Sequence, residues 1–200
     1  MEIFFEPTCI VCGDPIAFNE VLCRKCIKKI YAPSITDGAY KIYHYGKYEY
    51  PLSKIITEFK YHSHPKIANT LGELLLKWFL SLNFPELPYS VSYVPSNYLS
   101  KYEKGFTPAK LIAESFSQLL GFPLIQLFES KTFRRQAQLN VKERTKNIKN
   151  KIKLTGTPTP YLIIIDDVYT TGSTMNEIEN LVKNECEILI CLTVARTIHR

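Results

Sequence analysis

A parallel α/β sheet flanked by helices, preceded by a small cysteine-rich unit, is the fold class that this 200-residue chain predicts. Three observations carry it. The run Tyr161-Leu162-Ile163-Ile164-Ile165-Asp166 is continuously apolar and β-branched, as in a strand covered on both faces. Strand-like runs of this kind alternate with stretches whose apolar residues recur at helical spacing, which implies right-handed crossovers. Cys9, Cys12, Cys23 and Cys26 form C-x2-C-x10-C-x2-C within the first 26 residues. The expected division is a four-cysteine zinc-binding unit over 1–32 and an α/β domain over 33–200. Hydrophobic residues at 46% and charged residues at 22% are ordinary globular composition and exclude a wholly disordered chain.

In chain order the cysteines come first. Each C-x2-C pair can turn two thiolates toward one point, and two pairs complete a tetrahedral sulfur site for Zn²⁺. Four thiolates close the coordination shell, so the metal is structural and its binding energy becomes folding energy. A disulfide framework would need an oxidising compartment. The N-terminus lacks the basic lead-in and long apolar core of a secretory signal. The apolar stretch Ile188 to Ala195 falls far short of the ~20 residues of a membrane span. A soluble, cytoplasmic protein with no membrane partner is therefore expected.

Ala32-Pro33-Ser34 reads as a linker, and residues 39–45 (AYKIYHY) as a strand. Pro51 opens a short helix with Leu52, Ile55, Ile56 and Phe59 on one stripe. A second helix over 66–80 carries Ile67, Leu71, Leu74, Leu75 and Trp78. Residues 89–94 form a strand. Thr107-Pro108 supplies an N-cap and a first-position proline for a helix that Gly121 ends. Residues 124–128 (LIQLF) read as a further short strand. After the strand at 161–166, a helix begins near Thr174, where Thr174 and Glu177 have capping-box spacing. Residues 187–195 form the next buried strand, with Cys186 and Cys191 in or beside the core.

Net charge is +6, unevenly spread. Between Lys131 and Lys153 stand nine basic residues, including Arg135, Lys142, Arg144, Lys146 and Lys149, against Glu143 alone, a local +8. Such a surface suits a phosphate-bearing partner, either a small substrate or a nucleic-acid backbone. A solvated basic helix has the same charge pattern.

The segment with the most chemistry runs from Leu162 to Thr174. A buried strand ends in Asp166 and Asp167, at the carboxyl edge of the sheet where open α/β folds bind ligands. Thr170, Thr171, Gly172, Ser173 and Thr174 then offer hydroxyls, backbone N–H groups and a glycine at a helix N-terminus, a setting that favours a phosphate. Carboxylates suit sugar hydroxyls or a magnesium ion. A ribose 5-phosphate has both ends in one molecule.

These residues resemble the 13-residue signature of type I phosphoribosyltransferases, which bind phosphoribosyl pyrophosphate (PRPP). The resemblance implies that Asp166 and Asp167 hold the ribose hydroxyls as catalytic residues, that residues 170–174 hold the 5-phosphate, and that Mg²⁺ accompanies PRPP. The sheet would then be phosphoribosyltransferase-like. Phe59-Lys60-Tyr61, Val94-Pro95, Lys104-Gly105-Phe106-Thr107-Pro108-Ala109, Arg135-Gln136, Glu143-Arg144 and the four cysteines make the chain similar to the ComF family of late-competence proteins from end to end. In that likeness a pyrophosphate loop covers 95–105, with Ser96, Asn97, Lys101 and Lys104 as phosphate contacts, and Arg135, Arg144 and Lys146 belong to a segment near the site. Lys104 stands where the family usually has Arg, which loses a bidentate fork. Thr107-Pro108 replaces Asn-Gln and removes two amide side chains. Two functions remain open: a phosphoribosyltransferase, or a non-catalytic accessory factor of DNA uptake that retains a PRPP-type pocket and meets single-stranded DNA and a competence helicase.

Overall fold

The computed structural model describes residues 6–38, 40–62, 64–96, 105–131 and 151–198. In chain order the strands are β1 (Ser34–Thr36), β2 (Ile42–Lys47), β3 (Ser90–Tyr93), β4 (Phe128–Ser130), β5 (Ile152–Leu154), β6 (Tyr161–Tyr169) and β7 (Ile188–Arg196). The helices are α1 (Arg24–Ile30), α2 (Leu52–His62), α3 (Pro65–Ser81), α4 (Pro108–Leu120) and α5 (Ser173–Val182). One sheet runs β1-β2-β7-β6-β3, and β4 pairs with β5 as a separate two-stranded unit. Strands β2, β7, β6 and β3 are mutually parallel, as the crossovers require.

The edge departs from expectation. Ser34 does not lie in a linker: it opens β1, which pairs antiparallel with β2 through Ser34↔His44 and Thr36↔Ile42. The chain needs only the short turn after Thr36 to reverse, and the parallel sheet gains one antiparallel edge strand. The 124–128 strand is also displaced. Leu124 makes a lone parallel bridge to Val91, and the paired strand begins at Phe128.

The alternation of side chains on β6 builds two apolar layers. Ile163 and Ile165 face the cluster that contains Phe59, Leu71, Trp78, Ile112 and Phe116 from α2, α3 and α4. Leu162 and Ile164 face Met175, Ile178 and Val182 of α5, together with Phe128 and Ile152 of the β4–β5 unit. All four β6 side chains are fully buried, worth about 1.5–3 kcal/mol each. The N-terminal segment joins the first layer, since Cys9, Val21, Leu22, Cys26 and Ile30 lie in the same cluster as Trp78.

Helix α4 starts at Pro108 and is closed by Gly121 in the left-handed region, φ 78°. Thr107 holds the N-cap place, but its hydroxyl caps nothing. α3 and α4 approach closely at Gly72, where a Cβ would lie 2.6 Å from the Ser115 Cβ. Only glycine admits that crossing.

Candidate functional site

Strand β6 carries the two acids past the core to the carboxyl edge of the sheet. Because successive residues point to opposite faces, Asp166 follows Ile164 toward the α5 layer and Asp167 follows Ile165 toward the α2 layer. On that second side α2 brings Lys60, whose Nζ lies 2.6 Å from Asp167 Oδ2. Phe59, the residue before it, is fully buried against Phe106 at 5.7 Å between ring centroids, which anchors this part of α2.

Two more of the carboxylate oxygens are also engaged. Asp167 Oδ1 accepts the Val168 N–H and Asp166 Oδ1 accepts the Asp167 N–H, both at 2.8 Å. Burial, and then the adjacent Asp167 carboxylate, pushes the Asp166 carboxyl well above the usual carboxylate range. Burial acts against charge on Asp167 as well, but the Lys60 ammonium outweighs it and holds that carboxyl below its ordinary value. The two carboxyls are thus biased in opposite senses, with charge disfavoured on Asp166 and favoured on Asp167, and both stand where a sugar diol could be met.

The loop after β6 turns at Gly172, φ 76°, which occupies the N-cap of α5. Gly172 itself supplies no capping side chain; the Thr171 hydroxyl accepts the Ser173 N–H at 3.5 Å, and the helix N-terminus is a setting where an anion is favoured. Thr170, Thr171, Ser173 and Thr174 are exposed around it, and the Thr171 and Ser173 hydroxyls lie 3.1 Å apart. A Cβ on Gly172 would fall on the Tyr169 phenol, 2.8 Å from Cζ. The expected capping box does not form. Helix α5 begins at Ser173, one residue earlier, and Glu177 Oε1 instead accepts the Ile152 N–H of β5 at 2.8 Å.

A polar row lies behind the acids. His44 of β2 is in register with Thr193 of β7, and Thr193 with Asp166. Both His44 nitrogens meet hydroxyls, Nδ1 to Thr193 Oγ1 at 2.7 Å and Nε2 to Thr36 Oγ1 at 2.8 Å. The Tyr169 ring packs on the imidazole at 4.9 Å between centroids. Burial, and then the charge of Arg196, brings the imidazole down to about 4, so it is neutral at neutral pH.

Ser96 lies past the end of β3 and lines a cavity of about 410 Å³ with Tyr93, Phe106, Thr107, Lys110 and Glu129. Asn97, Lys101, Lys104, Arg135, Lys142, Arg144, Lys146 and Lys149 lie outside the described residues. Lys60 and His44 escaped the sequence reasoning. Lys60 was visible only as the centre of Phe59-Lys60-Tyr61, and nothing marked His44 within its strand.

Magnesium does not fit the carboxylates as they stand. Three of the four oxygens have partners, burial and the neighbouring carboxylate oppose charge on Asp166, and an ammonium already sits on Asp167. The four cysteines behave differently. Their sulfurs all lie within 4.8 Å of one another, with Cys12 and Cys23 Sγ 3.6 Å apart. A tetrahedron with metal–sulfur bonds of about 2.3 Å has edges of about 3.8 Å, so the group can hold a metal ion. Burial opposes ionisation of Cys9, yet the amides of Cys12, Cys23 and Val11 outweigh it and bring the thiol down to about 6. Cys186, by contrast, is pushed up to about 11 by burial and by Glu185, and burial also raises Cys191.

Among known proteins, the chain is 30% identical over 189 residues to Competence protein F of Haemophilus influenzae, covering 88% of this chain and 79% of that protein. It is 29% identical to the DNA utilization protein YhgH of Salmonella typhi, over 86% of this chain and 76% of that one. Among solved structures, adenine phosphoribosyltransferase from Leishmania donovani superposes with a TM-score of 0.46 at 9% identity, over 82% of this chain and 86% of that one. No family model matches the chain. No helix among the described residues is long and apolar enough to cross a membrane.

Proposed function

The chain belongs to the competence protein F family, and from that premise we propose that it is a phosphoribosyltransferase-like protein of DNA uptake whose β6–α5 site binds PRPP or another ribose 5-phosphate ester. The observation that carries the reading is the sequence of groups along one turn of chain. Two carboxyl groups near the end of β6 are followed, five residues after Asp167, by a helix N-terminus with glycine at its N-cap, Gly172. The amides and hydroxyls of residues 170–174 take the 5-phosphate, while Asp166 and Asp167 hold the ribose diol.

Transfer from PRPP would break the C1–O bond to pyrophosphate, and the protein would position the sugar and balance charge on the leaving group. Ser96, past the end of β3, is the described residue that this reading places there, with Lys101 and Lys104 further along the chain. Calorimetric titration with PRPP tests the pocket. Asp167→Asn should fold and weaken PRPP by at least about tenfold, the ~1.4 kcal/mol of one charged contact. Equal affinity in the variant removes the pocket.

The second reading is a non-catalytic accessory factor that handles single-stranded DNA, and what favours it is the +8 stretch from Lys131 to Lys153 beside relatives named for competence and DNA utilization. If it holds, the log–log salt slope for an oligonucleotide becomes shallower by roughly 0.7 for each phosphate that is no longer neutralised. Replacing Lys142, Lys146 and Lys149 by Ala should then flatten the slope by about 2, measured by fluorescence anisotropy, while Asp167→Asn leaves it unchanged. In either reading, the four cysteines hold a structural Zn²⁺.

A further inference from the structure

We propose that Lys60 is the resident cation of this site, taking the place of a divalent metal at the diol carboxylates, so that ribose 5-phosphate esters without a pyrophosphate bind with no added metal. The inference rests on the proposed ribose 5-phosphate pocket and names the class of ester that the pocket accepts on its own.

The geometry is specific. Lys60 Nζ sits 2.6 Å from Asp167 Oδ2, and its side chain retains 25% of its exposure, so the ammonium pairs with the acid on a side chain that is not fully enclosed. An ammonium has three donors. One is spent on Asp167, which leaves donors for a ligand oxygen. The remaining Asp167 oxygen is committed to the Val168 amide at 2.8 Å. A dication approaching this carboxylate would meet a fixed positive charge first, and it would have to displace it.

Lys60 is also held in place from its own element. Phe59 is fully buried against Phe106, and α2 begins with Leu52, Ile55 and Ile56 equally buried. The ammonium is thus delivered by a packed helix to one end of β6. Across the sheet, the Thr193–His44 row behind Asp166 presents a hydroxyl and a neutral imidazole and no cation. Lys60 is the single positive group in contact with the acid pair among the described residues. Pyrophosphate brings its own metal when PRPP binds. A ribose 5-phosphate or a nucleoside 5′-monophosphate has no such chelating group, and for these ligands Lys60 supplies the charge that offsets Asp167.

The test is calorimetric titration of the zinc-loaded chain with ribose 5-phosphate, in EDTA-free buffer treated to remove divalent cations and again with millimolar Mg²⁺. Wild type should bind equally in both, within twofold. Lys60→Met should bind at least tenfold more weakly without Mg²⁺ and recover most of the loss with it, since Asp167 is then open to the metal. Lys60→Arg keeps the positive charge and should lose less affinity without Mg²⁺ than Lys60→Met does. The double variant Lys60→Met/Asp167→Asn should show no Mg²⁺ rescue, and Trp78 fluorescence confirms that each variant is folded. Binding by wild type only with Mg²⁺, or a Lys60→Met variant indistinguishable from wild type, overturns the role of Lys60 and leaves the pocket standing. If wild type binds neither ribose 5-phosphate nor PRPP under any cation condition, the pocket itself falls, and this inference with it.

Discussion

His44 has no solvent contact, and each of its ring nitrogens is within 2.8 Å of a threonine hydroxyl. Protonation would turn both nitrogens into donors that meet only threonine hydroxyls, and no carboxylate, among the described residues. The consequence can be measured. The unfolded chain takes up this proton near pH 6.5, whereas the folded chain resists it down to about 4. Unfolded molecules thus bind more protons in that window, and stability falls as pH drops from 6.5 toward 4. The shift corresponds to about 3 kcal/mol. Urea unfolding at pH 7 and pH 4.5, an interval that covers most but not all of the shift, should show a loss in wild type that exceeds the loss in His44→Gln by about 2 kcal/mol. Equal losses would mean that the imidazole titrates freely.

At the scale of elements, the turn from β6 into α5 depends on one glycine. Gly172 has a positive φ and no space for a Cβ beside Tyr169. Gly172→Ala should cost about 1–3 kcal/mol from the left-handed backbone and the overlap together. Adding Tyr169→Ala removes the overlap but not the backbone term, so the urea midpoint should recover only in part. The strands and helices around this turn were legible in the sequence because their burial is periodic: Ile112, Ala113 and Phe116 on α4, or the unbroken run of β6. What failed to show was set by partners distant in sequence. Ser34–Thr36 is a strand only because β2 lies beside it, and α1 forms inside a segment whose pattern is dominated by cysteines. Glu177 has capping-box spacing from Thr174, but a β5 amide 25 residues away claims it. The acids and the phosphate loop could be read as a local motif. Lys60, more than a hundred residues upstream of Asp167, could not, because ion pairing across layers leaves no periodic trace.

For the whole molecule, the cysteine-rich segment has no core of its own to fall back on. Val21, Leu22 and Ile30 share a buried cluster with Leu71, Trp78 and Ile163. Trp78 is the sole tryptophan, so its emission reports on the α/β core rather than on the cysteines. Stripping the metal with a strong chelator should lower the melting temperature seen by Trp78 by at least about 5 °C, at ~2–4 °C per kcal/mol for a chain of this size. A Trp78 melt unmoved by verified metal loss would uncouple the two regions. The sheet order has a further effect, on the timing of synthesis. Strand β7 lies between β2 and β6, and His44 meets Thr193 across 149 residues of chain. At about 5–20 residues per second, a ribosome takes roughly 7–30 s to travel from one to the other. Through that interval β2 has its short partner β1 on one side and an open hydrogen-bonding edge on the other. The nascent chain therefore waits with its middle strand missing, and a holding chaperone has its longest opportunity on this protein before residue 196 clears the exit tunnel.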